Sequence, residues 1–591
     1  MIQNLIQILT PILMTLWPEI LLATLGCLLL VLGTVNKPAA RRIAPTIALG
    51  GLAAVFVLLL SLGLTPEPGG TSDSWRTVQI YTFQTYVKLI AAGAGILLVL
   101  IAWPTNPDAT GNPGLQFGHE AGEFFGLMLL SVSGIFFVAS ANDIILLFLG
   151  IELASIPTYI MVSISRPLPV AQEAGVKYFF LGAMAAAVML FGFSYLYGTT
   201  GQTKLSDIQS VIDLHKGGST WQILAVVMLL AGLAFKIAAV PLHSYAGDVY
   251  QGAATPVTAF LAFVPKTSGF VAILKILFYV SGTGPGVQAW VMPDTISKLL
   301  WVLAVLTMFV GNMLALGFLQ YNIKRVLAYS SVAHSGYMLV GVTALVTSTN
   351  PQVQAAALGG VLFYLAAYGI MNTGAFGVLM MLPSRDTHFA GYLEPSTGVT
   401  QVPAETGTSA ETFDDLAGQG RRHPALGIAM AVCCLSLTGL PFTVGFFGKV
   451  FLIKPAWQVA EQQPEVAARM WWLVVLTVLN AAISAGYYLR IIAAMFLRPE
   501  PPPVGTPAAG FGGPPETRPI AVESATPAAR PWPILAGISL SVIGILLFGI
   551  YLPATDKLAA QTQAARLEPD SSMPLRTRNP IAPPLTMMPD K

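Results

Sequence analysis

The sequence predicts an all-α polytopic membrane protein of about fourteen transmembrane helices, and three observations carry the prediction. Hydrophobic residues make up 54% of the 591 and charged residues only 10%, whereas a soluble protein carries about 25% charged residues. The apolar residues gather into fourteen stretches of bilayer-crossing length. The segments between them are polar and rich in Pro, Gly and Thr, a composition that cannot bury a core. Length alone would suggest about four soluble domains, but composition overrides it. The formal net charge of +2, from 30 basic and 28 acidic residues, leaves no basic field for nucleic acid. Cys27, Cys433 and Cys434 are too few for a disulfide framework, an iron–sulfur cluster or a four-thiolate zinc site.

A spanning helix needs about 20 mostly apolar residues, because lipid satisfies no backbone N–H or C=O. The expected spans, numbered in chain order, are 12–33, 43–64, 86–103, 124–140, 142–164, 173–197, 221–246, 256–280, 298–318, 326–346, 355–382, 425–454, 470–497 and 532–553. The first follows a short uncharged segment with no basic n-region or small-residue cleavage site, so it reads as a retained helix and not a signal peptide. The chain divides into N-terminal helices (1–123), a first repeat (124–280), a second repeat (298–497) holding a polar loop at 383–424, a Pro/Gly-rich loop (498–531), a last span (532–553) and a polar tail (554–591).

An even span count puts both termini on one side, and basic residues choose the side. With the N-terminus outside, the inside loops carry twelve basic residues: Lys37, Arg41, Arg42, Arg166, Lys324, Arg325, Arg385, Arg421, Arg422, Arg498, Arg518 and Arg530. The outside loops carry five, Arg76, Lys204, Lys216, Lys454 and Arg469, with five more in the long tail. Both termini are therefore expected outside.

Ionisable residues deep in a bilayer are costly and point to function. Five stand out: Glu152 in span 5, Lys177 in span 6, Lys236 in span 7, Lys266 in span 8 and Lys449 in span 12. Structural ion pairing or snorkelling to the headgroups is the bland alternative. Snorkelling suits Lys88, Lys298, Lys454 and Arg490 near span ends, but not Lys236, Lys266 or Lys449, each with a long apolar run on at least one side. A desolvated lysine releases its proton more readily and a nearby carboxylate holds it, so a lysine with a movable carboxylate is a switchable proton site. Glu152 is the only carboxylate read as deep in the first eight spans and is the expected partner of Lys236. Glu173, at the mouth of span 6, shares a helix face with Lys177 four residues on.

Proline falls inside the lysine-bearing spans 7 and 12, at Pro241 after Lys236 and in Gly439-Leu-Pro441 before Lys449. Both spans should be broken, since proline removes an intrahelical hydrogen bond. Two such breaks five spans apart suggest two inverted five-helix repeats, spans 4–8 and 9–13, and paired interruptions point to an ion pathway. His243 and His334 lie within the array and are either hydrogen-bonded core residues or proton relays, since imidazole titrates near neutrality.

The run PLHSYAGDVYQGAATPVTAFLAFVPK, from Pro241 to Lys266, resembles the signature of the antiporter-like, proton-translocating membrane subunits. More narrowly, DVYQGA and the FFGK run ending at Lys449 resemble subunit N of bacterial NADH-quinone oxidoreductase (respiratory complex I), over its sisters L and M. EAGVKYFFLGA, YNIKRVLAYSSVAHSGYML and LSLTGLPFTVGFFGKVFLI extend the resemblance over roughly 10–497. Tyr245, where the family usually has tryptophan, and Gly247 and Ala254, where it has proline, depart from the pattern in the connection between spans 7 and 8. The polar loops at 383–424 and 499–531 look longer than usual.

The resemblance implies a proton-translocating subunit in the bacterial inner membrane, beside subunits M, K and their neighbours. It implies no cofactor in this chain, with NADH, FMN, iron–sulfur clusters and quinone in partner subunits. It makes Glu152 and Lys236 a switching pair linked to Lys177, with Glu173 coupling to a neighbour, Lys266 the central relay and Lys449 the terminal site toward the outside. Two other functions compete: a secondary cation/proton antiporter subunit, and a silent structural subunit of the membrane arm. The complete acid and base set argues against the latter. Co-purification with flavin and iron–sulfur subunits separates the first reading from the antiporter.

Overall fold

The computed structural model describes residues 2–35, 38–61, 82–103, 120–164, 169–214, 220–281, 292–317, 321–382, 409–499 and 532–550. Helices follow in the order α1 (Ile2–Gly33), α2 (Pro38–Ser61), α3 (Thr82–Ile101), α4 (Ala121–Ser140), α5 (Ile144–Ile164), α6 (Pro169–Thr200), α7 (Leu205–Leu214), α8 (Thr220–Lys236), α9 (Ala246–Gly252) and α10 (Thr255–Val280). They continue with α11 (Asp294–Leu316), α12 (Ile323–Thr347), α13 (Pro351–Met381), α14 (Phe413–Leu416), α15 (Gln419–Arg422), α16 (Pro424–Thr438), α17 (Val444–Gln462), α18 (Pro464–Phe496) and α19 (Trp532–Ile550). Extended pairing among the described residues is limited to single bridges, Asp143 with Lys204 and Asn322 with Thr412.

Among the described residues, eleven helices are long and apolar enough to cross a membrane, and α8 and α16 are shorter apolar helices. The molecule is therefore a polytopic, all-helical membrane protein. Phe180, Phe191, Trp472 and Val478 lie exposed on α6 and α18, as expected of surfaces bathed in lipid. α10 is the opposite case: every one of its residues is buried, and it touches α3, α4, α5, α8, α12 and α13. A helix that is apolar all round belongs at the centre, so Lys266 on α10 stands at the middle of the molecule. α11 and α12 approach closely because Gly311 faces the Ala333 backbone and Gly336 faces the Met308 backbone; a Cβ at either would fall 2.5 Å from a main-chain nitrogen.

Both expected breaks are present. α8 stops at Lys236, turns follow to Tyr245, and α9 resumes the path. α16 stops at Thr438, and α17 begins after Gly439, Leu440, Pro441, Phe442 and Thr443. Gly439 closes α16 in the left-handed conformation, φ +88°, which glycine tolerates best. Span 7, expected over 221–246, thus loses its last turns, and α17 runs eight residues beyond the expected end of span 12 at 454.

Four readings of charge are corrected. Lys88 is buried on α3, paired with Glu19 of α1 at 2.6 Å, and does not snorkel. Glu19 is fully buried, so Glu152 is not the sole deep carboxylate of the first eight spans. Lys324 is buried against Glu411 at 2.8 Å, and does not lie on a loop surface. Arg490 lies over the Phe413 ring at 4.4 Å, a cation–π contact in place of a headgroup. The expected loop 383–424 also contains structure: over 409–422, α14 carries a capping box between Thr412 and Asp415. The expected loop and tail residues at 383–408, 500–531 and 551–591 lie outside the described residues.

Candidate functional site

The site grows from the break after α8. Beyond Lys236 the chain leaves helical geometry through Ala238, at φ +55°, and a cis Val240–Pro241 peptide. The backbone groups this releases are claimed by neighbouring helices. The Val240 N–H donates to Thr307 Oγ1 on α11 at 3.1 Å, and the Ile237 carbonyl accepts from Ser335 Oγ on α12 at 2.6 Å. Irregular backbone at depth requires this kind of cover.

Lys236 ends α8 with its ammonium enclosed, only 2% exposed. It donates to Glu152 Oε1 at 2.9 Å, to Ser155 Oγ at 3.0 Å and to Tyr159 Oη at 3.1 Å. The three partners sit on α5 at offsets of three and seven residues, which is one face of one helix. The expected pair Glu152–Lys236 is thus a direct ion pair, and Ser155 and Tyr159 are partners that the charge pattern did not reveal.

From the break, hydroxyl groups on α12 lead to Lys266. Ser335 Oγ also reaches the Ser331 carbonyl at 3.3 Å. Lys266 Nζ donates to both the carbonyl and the hydroxyl of Ser331. Tyr250, at the end of α9, shares a 3.3 Å hydrogen bond with the same hydroxyl. Lys266 also lies 5.9 Å from the centre of the Tyr368 ring.

His334 occupies the next position. Its ring lies 5.0 Å from Tyr368 and 5.6 Å from Tyr337. Both nitrogens are engaged, Nδ1 with Tyr364 Oη at 2.6 Å and Nε2 with Tyr488 Oη at 2.9 Å. Tyr488 is in turn bonded to Ser330, the neighbour of Ser331. Lys449 closes the series. Its ammonium lies 4.7 Å above the Tyr337 ring and donates to the Leu437 and Thr438 carbonyls at 3.1 and 2.7 Å. These are terminal carbonyls of α16, left without intrahelical partners by the break and electronegative through the helix dipole. Among the described residues, Lys449 is held there by carbonyls and a ring, with no carboxylate in hydrogen-bond reach.

Lys177 departs from expectation. It is 44% exposed on its side chain and pairs with Glu173 at 2.7 Å and Asp248 at 3.0 Å, so its ammonium is engaged away from Glu152 and Lys236. Asp248 continues to Arg325 at 3.1 Å, so a surface ladder joins the starts of α6 and α12 through α9. His243 lies in the turn after the break, where its Nδ1 is buried without a hydrogen-bond partner. Two of the unusual residues have local reasons. Tyr245 stacks on Tyr178 at 5.0 Å and donates to the Phe235 carbonyl at 2.9 Å. Gly247 leaves room for Tyr329, whose hydroxyl would fall 2.4 Å from any Cβ placed there. Among the described residues no group of three or more His, Cys, Asp or Glu gathers to hold a metal.

A family model described as NADH:quinone oxidoreductase/Mrp antiporter, TM, matches residues 141–484, a range that includes every lysine of the series. NADH-quinone oxidoreductase subunit N of Trichlorobacter lovleyi is 36% identical over 82% of this chain and 87% of the relative. The chain belongs to the NADH-quinone oxidoreductase subunit N family. Its counterpart in Gemmatimonas aurantiaca is 33% identical over 92% of this chain and 95% of that one. A chain of respiratory complex I from Thermus thermophilus superposes with a TM-score of 0.62 at 29% identity, over 91% of this chain and 98% of the other. A chain of the Mrp complex from Dietzia sp. has a TM-score of 0.65 at 20% identity, over 93% and 97%, a likeness of fold alone. As a family member the chain is a membrane subunit of NADH-quinone oxidoreductase, a translocase.

Proposed function

We propose that this subunit moves protons across the bacterial inner membrane along the series Lys236, Lys266, His334 and Lys449, driven by quinone reduction in partner subunits. The observation that carries this reading is the Glu152–Lys236 pair beside the break, followed by Ser335, which donates to the Ile237 carbonyl and reaches the Ser331 carbonyl to which Lys266 also donates. Ammonium groups, hydroxyls that both donate and accept, and accepting backbone carbonyls replace lipid along this path.

Glu152 is the switch. Two unit charges about 4 Å apart are worth about 4 kcal/mol at an effective dielectric constant near 20. Moving the Glu152 carboxylate off Lys236 leaves the ammonium uncompensated, and its proton passes toward Lys266. Tyr368, His334 and Tyr337 bridge Lys266 to Lys449, which delivers the proton outside. The exposed Glu173–Lys177–Asp248 ladder suits contact with a neighbouring subunit whose charge moves Glu152, and His243 lies where protons enter the break. In this reading α8 with α9 and α16 with α17 make the broken members of fourteen spans, arranged in two inverted repeats with both termini outside. Subunits M and K flank the chain. NADH, FMN, iron–sulfur clusters and quinone act in the partners.

The test replaces Lys236 or Glu152 with alanine and measures proton uptake and quinone reductase activity in vesicles, normalised to subunit content. Pumping should fall severalfold more than complex content in both variants. Full pumping per complex in both would remove the assignment.

A further inference from the structure

The N-terminal helices hold a second set of buried charges that the lysine series does not use. Glu19 of α1 is fully buried. Its Oε1 accepts from Lys88 of α3 at 2.6 Å and from Ser140, the last residue of α4, at 2.7 Å. Its Oε2 is equally buried and has no hydrogen-bond partner. One turn before Lys88 on the same face of α3, the side-chain amide of Gln84 is also buried with Nε2 unpartnered. A fifth member arrives from the central helix. Lys275 of α10 donates to the carbonyls of Val138 and Ala139 at 3.3 and 2.6 Å and to that of Ala141, which surround Ser140.

Three features separate this cluster from a passive ion pair. Glu19 and Lys275 meet the same end of α4, Glu19 through the Ser140 hydroxyl and Lys275 through the carbonyls on either side of Ser140. A buried acceptor and a buried donor both lack protein partners, and such orphans are ordinarily satisfied by enclosed water. Finally, Lys275 lies nine residues from Lys266 on a helix buried along its whole length, about 13 Å along the axis. Lys275, which joins the cluster at the end of α4, and Lys266 are thus carried by one helix.

We propose that Glu19, with Lys88, Lys275 and enclosed water, forms a second proton-binding site beside the lysine series, loaded and emptied at Glu19 Oε2. On loading, a hydronium in the site gives its proton to Oε2, leaving water and a neutral carboxylic acid, with no proton moved on Lys88 or Lys275. On emptying, the O–H bond breaks and the proton returns to that water. Loading adds one positive charge beside Lys88 and Ser140, next to the α4 carbonyls that hold Lys275, and this opposes a proton on Lys266. The site therefore acts as a gate on proton exit from the centre. This inference rests on the proton-conducting reading above.

Two measurements on the assembled complex test it. The native complex is treated with a small apolar carbodiimide, which reacts with protonated buried carboxyls, and the α1 peptide is read by mass spectrometry. The double variant Glu19→Gln with Lys88→Met keeps size and removes both charges, so a merely structural pair would be replaced without loss of pumping. Labelling of Glu19, together with a loss of protons moved per quinone reduced as large as in Lys236→Ala, is the expected result. An unlabelled Glu19, or full pumping in the double variant, overturns the proposal. If the double variant fails to assemble, the labelling alone decides. Full pumping in Lys236→Ala would instead remove the parent reading, whatever Glu19 does.

Discussion

The buried lysines among the described residues replace their lost water in several ways. Lys236 uses a carboxylate with two hydroxyls, Lys324 uses Glu411 with the Ala253 carbonyl, Lys266 uses Ser331, and Lys275 and Lys449 use carbonyls at helix ends. The distinction has an energetic consequence. Removing one partner of a buried pair strands the other, at about 3–5 kcal/mol, whereas an exposed pair is worth about 1 kcal/mol or less. Lys324→Ala is therefore expected to lower thermal stability of the solubilised complex by about 3–5 kcal/mol, and Glu173→Ala by less than about 1 kcal/mol. Lys324→Met with Glu411→Leu should recover most of the loss, measured by thermal unfolding of the three variants. Equal stability in Lys324→Ala and the parent would show the pair to be energetically idle. Lys236, Lys266 and Lys449 could be read from sequence because each interrupts a long apolar run. Lys88 could not: span 3 was expected from 86, but α3 starts at Thr82, so an apparent end residue is nearly two turns inside. Ser331, Tyr364 and Tyr488 left no signal, because hydroxyls are ordinary in apolar helices and only packing turns them toward a ring or an ammonium.

At the scale of elements, the two broken helices show how proline placement becomes site geometry. Pro241 and Pro441 forced the breaks into view before any fold was known, since neither can sit in a continuous helix interior without cost. The ends of the flanking helices were less legible. α8 stops five residues before its proline, because Ile237 and Ala238 already spend their carbonyl and conformation on the turn. Gly439 holds a more specific role. Its φ of +88° suits glycine, and a Cβ there would fall 2.9 Å from Lys449 Cδ and 3.3 Å from Nζ. Gly439→Ala thus combines backbone strain of about 1–2 kcal/mol with displacement of the ammonium from the Leu437 and Thr438 carbonyls. The expected outcome is a complex that still assembles and reduces quinone but moves fewer protons per quinone. Gly201→Ala, also at positive φ but with open space around it, is the control for strain alone and should pump normally.

At the scale of the whole molecule, polar contacts tie particular helix ends together, and those ties constrain the direction of every crossing. Lys177, Asp248 and Arg325 join the start of α6, α9 and the start of α12. Lys324 and Glu411 add the segment before α14 to the same end. Gly418 adds the end of α18 through the Ala494 carbonyl. The bridge between Asp143 and Lys204 joins the start of α5 to the segment after α6, and Arg469 with Asp294 joins the starts of α18 and α11. Those belong to the opposite end, because α6, α11 and α18 each run from one end to the other. The basic residues then choose which end faces inward. Even with the buried Lys324 set aside, the expected twelve-to-five excess becomes eleven to five, and an excess of this kind marks the cytoplasmic side. The ladder of Lys177, Asp248 and Arg325 is therefore predicted to face the cytoplasm. A single cysteine at Arg422, exposed at the first end, should resist a membrane-impermeant maleimide in intact cells and react after lysis. A cysteine at Glu461, exposed at the second, should react in both. Cys27 needs replacement beforehand because it is exposed, whereas Cys433 and Cys434 are buried. The reversed labelling pattern would invert the molecule, turn the Lys449 end toward the cytoplasm, and reverse the direction assigned to the proton path.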